Sequence, residues 1–112
     1  MKRNVVRVVV KPWGREVWLA VEREYAGKIL EVKRGKRLSL QYHKRKKESM
    51  FVLEGKALLT VGKRKVPFSK GDCVTIRPGV VHRIEALSNV KIIEFSTPHL
   101  SDVVRLEDDF GR

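Results

Sequence analysis

The sequence predicts an all-β protein, an antiparallel sandwich or barrel of short strands. Three observations carry that prediction. Runs of Val, Ile, Leu and aromatic residues recur along the chain at strand length. Turn formers punctuate them at Pro12, Gly14, Gly27, Gly35, Gly55, Gly62, Pro67, Gly71, Pro78, Gly79 and Pro98, the spacing expected between paired strands. No stretch carries a convincing 3.6-residue apolar period. The 112 residues, 42% of them hydrophobic, suit one domain (residues 1–112) that buries about two-thirds of its unfolded surface.

Taken in order, residues 4–10 (NVVRVVV) are β-branched and read as an edge strand stopped by Pro12. Residues 15–20 and 28–33 follow Gly14 and Gly27. In 37–43, Arg37, Ser39, Gln41 and His43 share one face, and Leu38, Leu40 and Tyr42 the other. Residues 49–54 follow a turn at Lys44–Lys47 and are apolar on both faces, which asks for cover on both sides. Strands at 56–62 and 64–67 flank the Gly62 turn. Residues 73–77 run between Gly71 and Pro78, 81–87 follow Gly79, 90–96 follow Asn89, and 102–106 close the chain. The outer Leu and Tyr set at 38–42 and the two-sided 49–53 segment together predict a barrel whose outer face serves a homodimer. Trp13 and Trp18 are expected in the core or at that contact, Cys73 in a buried strand position, His99 at the surface and Arg83 facing outward, opposite to Ile84.

Composition removes several classes. Cys73 is the lone cysteine, so no intrachain disulfide or multi-cysteine zinc site exists. No apolar run approaches the roughly 18 residues of a membrane span, and Arg7 breaks the N-terminal apolar run, so a cytoplasmic location is expected. The net charge of +12 directs attention to anionic partners. It is uneven: residues 1–50 hold 15 bases and 5 acids, while 101–112 hold 2 bases and 4 acids. The acidic end is therefore expected against the basic body. Nucleic acid is disfavoured, since neither aromatic-studded basic strands nor a helical reader is present. Scarce Asn and Gln beside abundant Lys, Arg and Glu suggest a thermophilic source.

The chemistry concentrates in GKRLSLQYHKRKKESMFVLEG, residues 35–55. Gln41 and His43, two apart on a strand, converge on one spot. Glu48 begins the next strand after the basic turn, which is read as solvated. His82 follows the Pro78-Gly79 turn. Two imidazoles, a carboxylate and an amide oxygen make a divalent-metal site. Imidazole suits zinc, iron, nickel or cobalt, and the oxygens also admit manganese.

The spacing Gly35, five residues, Gln41-x-His43, four residues, Glu48, six residues, Gly55 resembles the first motif of the cupin superfamily, with Gln41 in place of the first His. Gly71, Gly79 and His82 fit the second motif. Pro78 is displaced by one position and Ala86 replaces its Asn. The Gln-x-His pair after Leu38-Ser39 resembles mannose-6-phosphate isomerases. With Lys11-Pro12-Trp13-Gly14, RLSLQ at 37–41, GVVHR at 79–83 and DVVRLEDDFGR at 102–112, the chain resembles the C-terminal cupin domain of type II mannose-6-phosphate isomerase/mannose-1-phosphate guanylyltransferase proteins. The resemblance implies a jelly-roll barrel (a double-stranded β-helix) with zinc held by Gln41, His43, Glu48 and His82. It implies a phosphorylated sugar as substrate, contacted by Arg37 and Ser39. The activity it implies is isomerisation of mannose-6-phosphate to fructose-6-phosphate. That reaction moves a proton between neighbouring carbons and needs a Lewis acid for the developing oxyanion. A cupin that binds sugar without turnover is the other class the sequence fits. No Gly-rich nucleotide loop is present, so no guanylyltransferase activity is assigned.

Overall fold

A computed structural model describes all residues, 1–112. Eleven strands form two antiparallel sheets, and there is no helix. They are β1 (Arg7–Lys11), β2 (Gly14–Val21), β3 (Ala26–Val32), β4 (Leu40–Tyr42), β5 (Glu48–Glu54), β6 (Lys56–Val61), β7 (Arg64–Ser69), β8 (Cys73–Ile76), β9 (His82–Ala86), β10 (Val90–Ser96) and β11 (Val104–Glu107). One sheet runs β1-β2-β3-β10-β5-β8, the other β11-β4-β9-β6-β7. The all-β expectation and the order of its elements hold.

Alternation decides which side chains enter the space between the sheets. Leu30 and Val32 of β3, Met50 and Val52 of β5, and Ile92 of β10 face Leu59 of β6 and Ile84 of β9 in one cluster of 14 buried apolar residues. Val52 and Ile92 are paired in register and fully buried. Trp13, in the turn between β1 and β2, closes one end of this core and is 2% exposed. Full burial of such a side chain contributes about 1.5–3 kcal/mol.

The segment at 37–43 departs from expectation. Only Leu40–Tyr42 is regular strand, and Arg37 forms an isolated bridge to Glu85. Leu38 and Ser39 both turn inward: Leu38 joins the core and Ser39 is 1% exposed. The Leu38 backbone pairs with the Ile84 carbonyl and accepts the Arg83 guanidinium, so local bonding overrides the period of two. Arg83 does lie opposite Ile84, yet it is buried, held by the Leu38 and Glu107 carbonyls. Cys73 is exposed at the β8 edge rather than buried.

Gly55 joins β5 to β6 beneath the turn at Ser88–Asn89. Its φ is +92°, and a Cβ there would stand 2.2 Å from the Asn89 carbonyl oxygen. Gly55→Ala is therefore expected to destabilise the fold by on the order of 3 kcal/mol, read as a lower urea midpoint with unchanged slope; an unchanged midpoint would contradict this packing.

Candidate metal centre

His43 follows β4, Glu48 opens β5 and His82 opens β9, so three strand ends deliver three side chains to one point between the sheets. Their donor atoms all lie within 4.8 Å of one another, and all three residues are buried. Glu48 Oε1 stands 3.2 Å from His82 Nε2 and 3.7 Å from His43 Nε2. Donors around one tetrahedral zinc at ordinary bond lengths stand roughly 3.3 Å apart.

The far side of each ring fixes the tautomer. His43 Nδ1 lies 2.5 Å from the Asp102 carbonyl oxygen and His82 Nδ1 lies 2.9 Å from that of Val80. A carbonyl only accepts, so each Nδ1 carries a proton, and each Nε2, turned toward Glu48, is the position open to a second proton or to a metal ion. Both Nε2 atoms are buried without a hydrogen-bond partner. Bare inward nitrogens on rings anchored from behind are the arrangement of metal-ligating histidines, so the residues fit a divalent cation. Gln41 is paired across the strands with His82 and lines the same cavity. Its Oε1 accepts the Ser39 hydroxyl at 3.0 Å, which fixes the direction of the amide.

Behind the cluster lies a buried charge network that sequence reading missed. Lys46 Nζ is 3.0 Å from Glu48 Oε2 and 3.0 Å from Glu94 Oε2. The turn at Lys44–Lys47 is thus not uniformly solvated, since Lys46 points inward. Lys28 lies 3.4 Å from Glu16 and over the Trp18 ring. Burial opposes ionisation of Glu48, but the facing His43 and His82 rings and Lys46 outweigh it and hold the carboxyl far below its usual range. Burial and the Glu48 charge push Glu94 up, against the pull of Lys46. Burial disfavours the His43 imidazolium, yet Glu48 and the Asp102 carbonyl outweigh it and raise this ring. A proton and a cation therefore compete for one lone pair.

A cavity of about 120 Å³ adjoins these residues. Ser39, Gln41, His43 and Glu48 line it, as do both tryptophans, and Lys11, Arg105 and Arg112 add positive charge. Arg37 is not among its lining residues; it holds Asp109 at 2.6 and 2.8 Å. The acidic tail lies on the basic body as its charge suggested, Asp109 on Arg37 and Glu107 on Arg83, while Asp108 pairs with Arg112 inside the tail. Asp102 caps the basic turn, accepting the backbone N–H groups of Lys44, Arg45 and Lys46. The period-2 pattern at 90–96 was the signal available for Glu94, a lone acid among inward apolar positions.

Comparison with known proteins places these features in a lineage. The family model for the mannose-6-phosphate isomerase C-terminal region matches residues 1–108. The xanthan biosynthesis protein XanB of Xanthomonas campestris is 31% identical over 111 residues, covering 95% of this chain and 24% of XanB. The mannose-1-phosphate guanylyltransferase RfbM of Salmonella typhimurium is 30% identical over 108 residues, 92% of this chain and 22% of RfbM. The chain thus spans about a quarter of the length of these relatives. An RmlC-like cupin from Shewanella frigidimarina superposes with a TM-score of 0.79 at 18% identity, over 86% of each chain. The fold is the cupin jelly roll.

The Asp102 carboxyl is held down to about 2 by the Arg45 and Lys44 backbone N–H groups, with a smaller contribution from Lys46. A carboxyl depressed in the folded state adds stability above its unfolded value and loses it as pH falls through the folded one. The stability gap between wild type and Asp102→Ala is therefore expected to be full at neutral pH and to close between pH 4 and pH 2; urea titrations at each pH would show it, and a gap independent of pH would refute the cap.

Proposed function

The chain belongs to the mannose-6-phosphate isomerase C-terminal family of cupins, and on that premise we propose that it is a metal-dependent sugar-phosphate isomerase. The reading is a cytoplasmic enzyme interconverting mannose-6-phosphate and fructose-6-phosphate, with zinc, manganese, iron, nickel or cobalt at Gln41, His43, Glu48 and His82. The observation that carries it is the pair of buried, unpartnered Nε2 atoms facing Glu48. A divalent ion bound there supplies the Lewis acidity that an aldose–ketose isomerisation needs at its carbonyl oxygen.

The chain's own residues do the rest. The Asp102 and Val80 carbonyls keep both rings in the ligating tautomer. Ser39 holds the Gln41 amide in one orientation. Trp13, Leu30 and Leu38 line part of the cavity and exclude water from it. Lys11, Arg105 and Arg112 give it the positive field a phosphate monoester requires. Glu94 and Lys46 lie within reach of the cavity and hold an exchangeable proton between them.

Elemental analysis of the purified protein is expected to find one divalent ion per chain, and a coupled assay to find turnover of mannose-6-phosphate. His82→Ala should lose the metal and lower turnover by on the order of 10²–10³. Full turnover by a preparation shown to be metal-free would overturn the reading. The replacement of the second-motif Asn by Ala86, which lies in the core, keeps a second reading in view. On it the domain binds sugar phosphate without converting it, and calorimetric titration with saturable binding but no turnover would select it.

A further inference from the structure

Residues 108–112 form a turn whose bonds converge on one carboxylate. Asp108 Oδ1 accepts the Phe110 backbone N–H at 3.2 Å. Its Oδ2 accepts the Arg112 backbone N–H at 3.1 Å and the Arg112 Nε–H at 2.9 Å. Only donors face it, which is the environment of an ionised carboxyl. The Asp108 side chain is 5% exposed and that of Arg112 23%. Gly111 has a φ of +66°, in the left-handed region that favours glycine, and so brings Arg112 back onto Asp108. Phe110 packs against the core, and Arg37 grips Asp109 from outside through bonds of 2.6 and 2.8 Å. The turn is thus pinned from within and from without, and what it delivers is a guanidinium lining the cavity beside the metal centre.

Within the chain the Arg112 guanidinium is bonded through Nε, and its two terminal amino groups carry no bond. Fixed in this way, it presents those two groups as a fork, the shape that matches two oxygens of a phosphate. The other Lys and Arg side chains lining the cavity divide sharply. Lys28 is held by Glu16 over the Trp18 ring, and Lys46 lies between Glu48 and Glu94. Lys11 stands at the far end of its sheet from Glu48: the ladders join Lys11 through Gly14 to Val32, but Glu48 through Ser96 to Ala26. Arg105 is different. It pairs with Gln41, which pairs with His82, so one row leads from the ligand set to Arg105 across two strand spacings, about 10 Å. The carboxylates near it in the chain are engaged elsewhere, Glu107 with Arg83, Asp108 with Arg112 and Asp109 with Arg37. A sugar with its carbonyl end at Gln41 and His82 therefore turns its other end toward a free guanidinium.

We propose that this turn is a phosphate clamp: Arg112, set by Asp108, forks the phosphate monoester of the substrate, and Arg105 supplies the second positive charge. The identity of the sugar rests on the isomerase reading above, whereas the clamp recognises a phosphate monoester whatever the chemistry at the metal centre. Asp108 is then a positioning residue, and Arg37 is another, acting one step further out through Asp109. An acid beside an anion site opposes binding by its charge. Its part here is to hold the fork, because a free arginine loses rotamer freedom on binding an anion and one already fixed does not.

Calorimetric titration of the full chain tests the clamp, with mannose-6-phosphate and with inorganic phosphate as probes, at about 0.15 M salt. The wild type is expected to bind both. Arg112→Gln should weaken mannose-6-phosphate binding by on the order of 10–100-fold, and Arg112→Lys, which keeps the charge and loses the fork, by about tenfold. Asp108→Ala separates a fork from simple attraction. It removes a negative charge from a basic protein, so attraction alone would tighten phosphate binding; the clamp requires binding at least about fivefold weaker. The double variant should bind as Arg112→Gln does, because Asp108 acts through Arg112. Lys63→Gln, in the turn between β6 and β7 and outside the cavity lining, measures the general effect of one lost charge. Circular dichroism and urea midpoints establish that each variant folds, and Arg112→Gln decides the matter even where Asp108→Ala loosens the turn. Phosphate binding that ignores Arg112→Gln, or that tightens in a folded Asp108→Ala, overturns the clamp. The expected binding pattern without turnover keeps the clamp and removes the isomerase reading; turnover of mannose-6-phosphate untouched by both variants does the reverse.

Discussion

Glu48 sits at 3% exposure between two sheets, and its ionised charge has to be met from within the protein. Stripping a carboxylate of water costs several kcal/mol unless partners replace the solvent. One oxygen is met by Lys46 at 3.0 Å, and the other faces two imidazole nitrogens. Much of the surrounding architecture follows. To deliver Lys46 inward, the turn after β4 must fold over the barrel end, and its backbone N–H groups then need an acceptor. Asp102, more than fifty positions later in the chain, supplies its carboxylate to that turn and its carbonyl to His43. Turn, tail and ligand ring are thus one bonded unit.

Much of this was legible in the sequence because it obeys local rules. The period of two placed Gln41 and His43 on one face, and the turn residues marked strand ends within a few positions. The spacing of Gly35, Gly55, Gly71 and Gly79 singled out Gln41, His43, Glu48 and His82 as one candidate set. Three of the four donors meet at one point, and Gln41 lines the same cavity. What stayed hidden depends on contacts distant in sequence. Lys46 sits in a run of four bases and looks like its neighbours; only Glu94 on β10 and the cap from Asp102 turn it inward. Leu38 left the outer face because its backbone is tied to β9 and to Arg83. Arg37, whose position on the ligand face suggested substrate contact, is held by Asp109 of the tail. Cys73 is exposed because it points to the outer face of β8, opposite Phe51, whereas Ile76 of the same strand points inward and is buried.

The charge of the chain and the charge of its interior differ in sign. The protein carries +12, yet the groups walled into the barrel are the carboxylates of Glu16, Glu48 and Glu94 against the ammonium groups of Lys28 and Lys46. Three carboxylates thus face two ammonium groups, next to two imidazoles whose Nε2 atoms turn inward. A low-dielectric enclosure amplifies such an imbalance, so the site favours a cation over an anion. The excess positive charge lies outside the sheets and at the cavity, where Lys11, Arg105 and Arg112 stand. An anionic ligand is thus drawn toward the cavity by the body of the protein, while its innermost reach is set to meet a positive ion.

β10 shows how strictly these demands are written into the chain. Its inward residues are Val90, Ile92, Glu94 and Ser96, which pair the core with the charge network. Its outward residues are Lys91, Ile93 and Phe95, which face away from the core. A slip of one residue would place Glu94 outside and Phe95 against Lys46. Neither side tolerates the exchange: the buried Lys46 would lose one of its two carboxylate partners, and a carboxylate would stand among the outward apolar side chains. Register in this strand is therefore specified twice, from within by the charges around Glu48 and from without by the pattern around Ile93. This explains why a strand with an acid in its interior positions still pairs without irregularity along Ile92–Ser96.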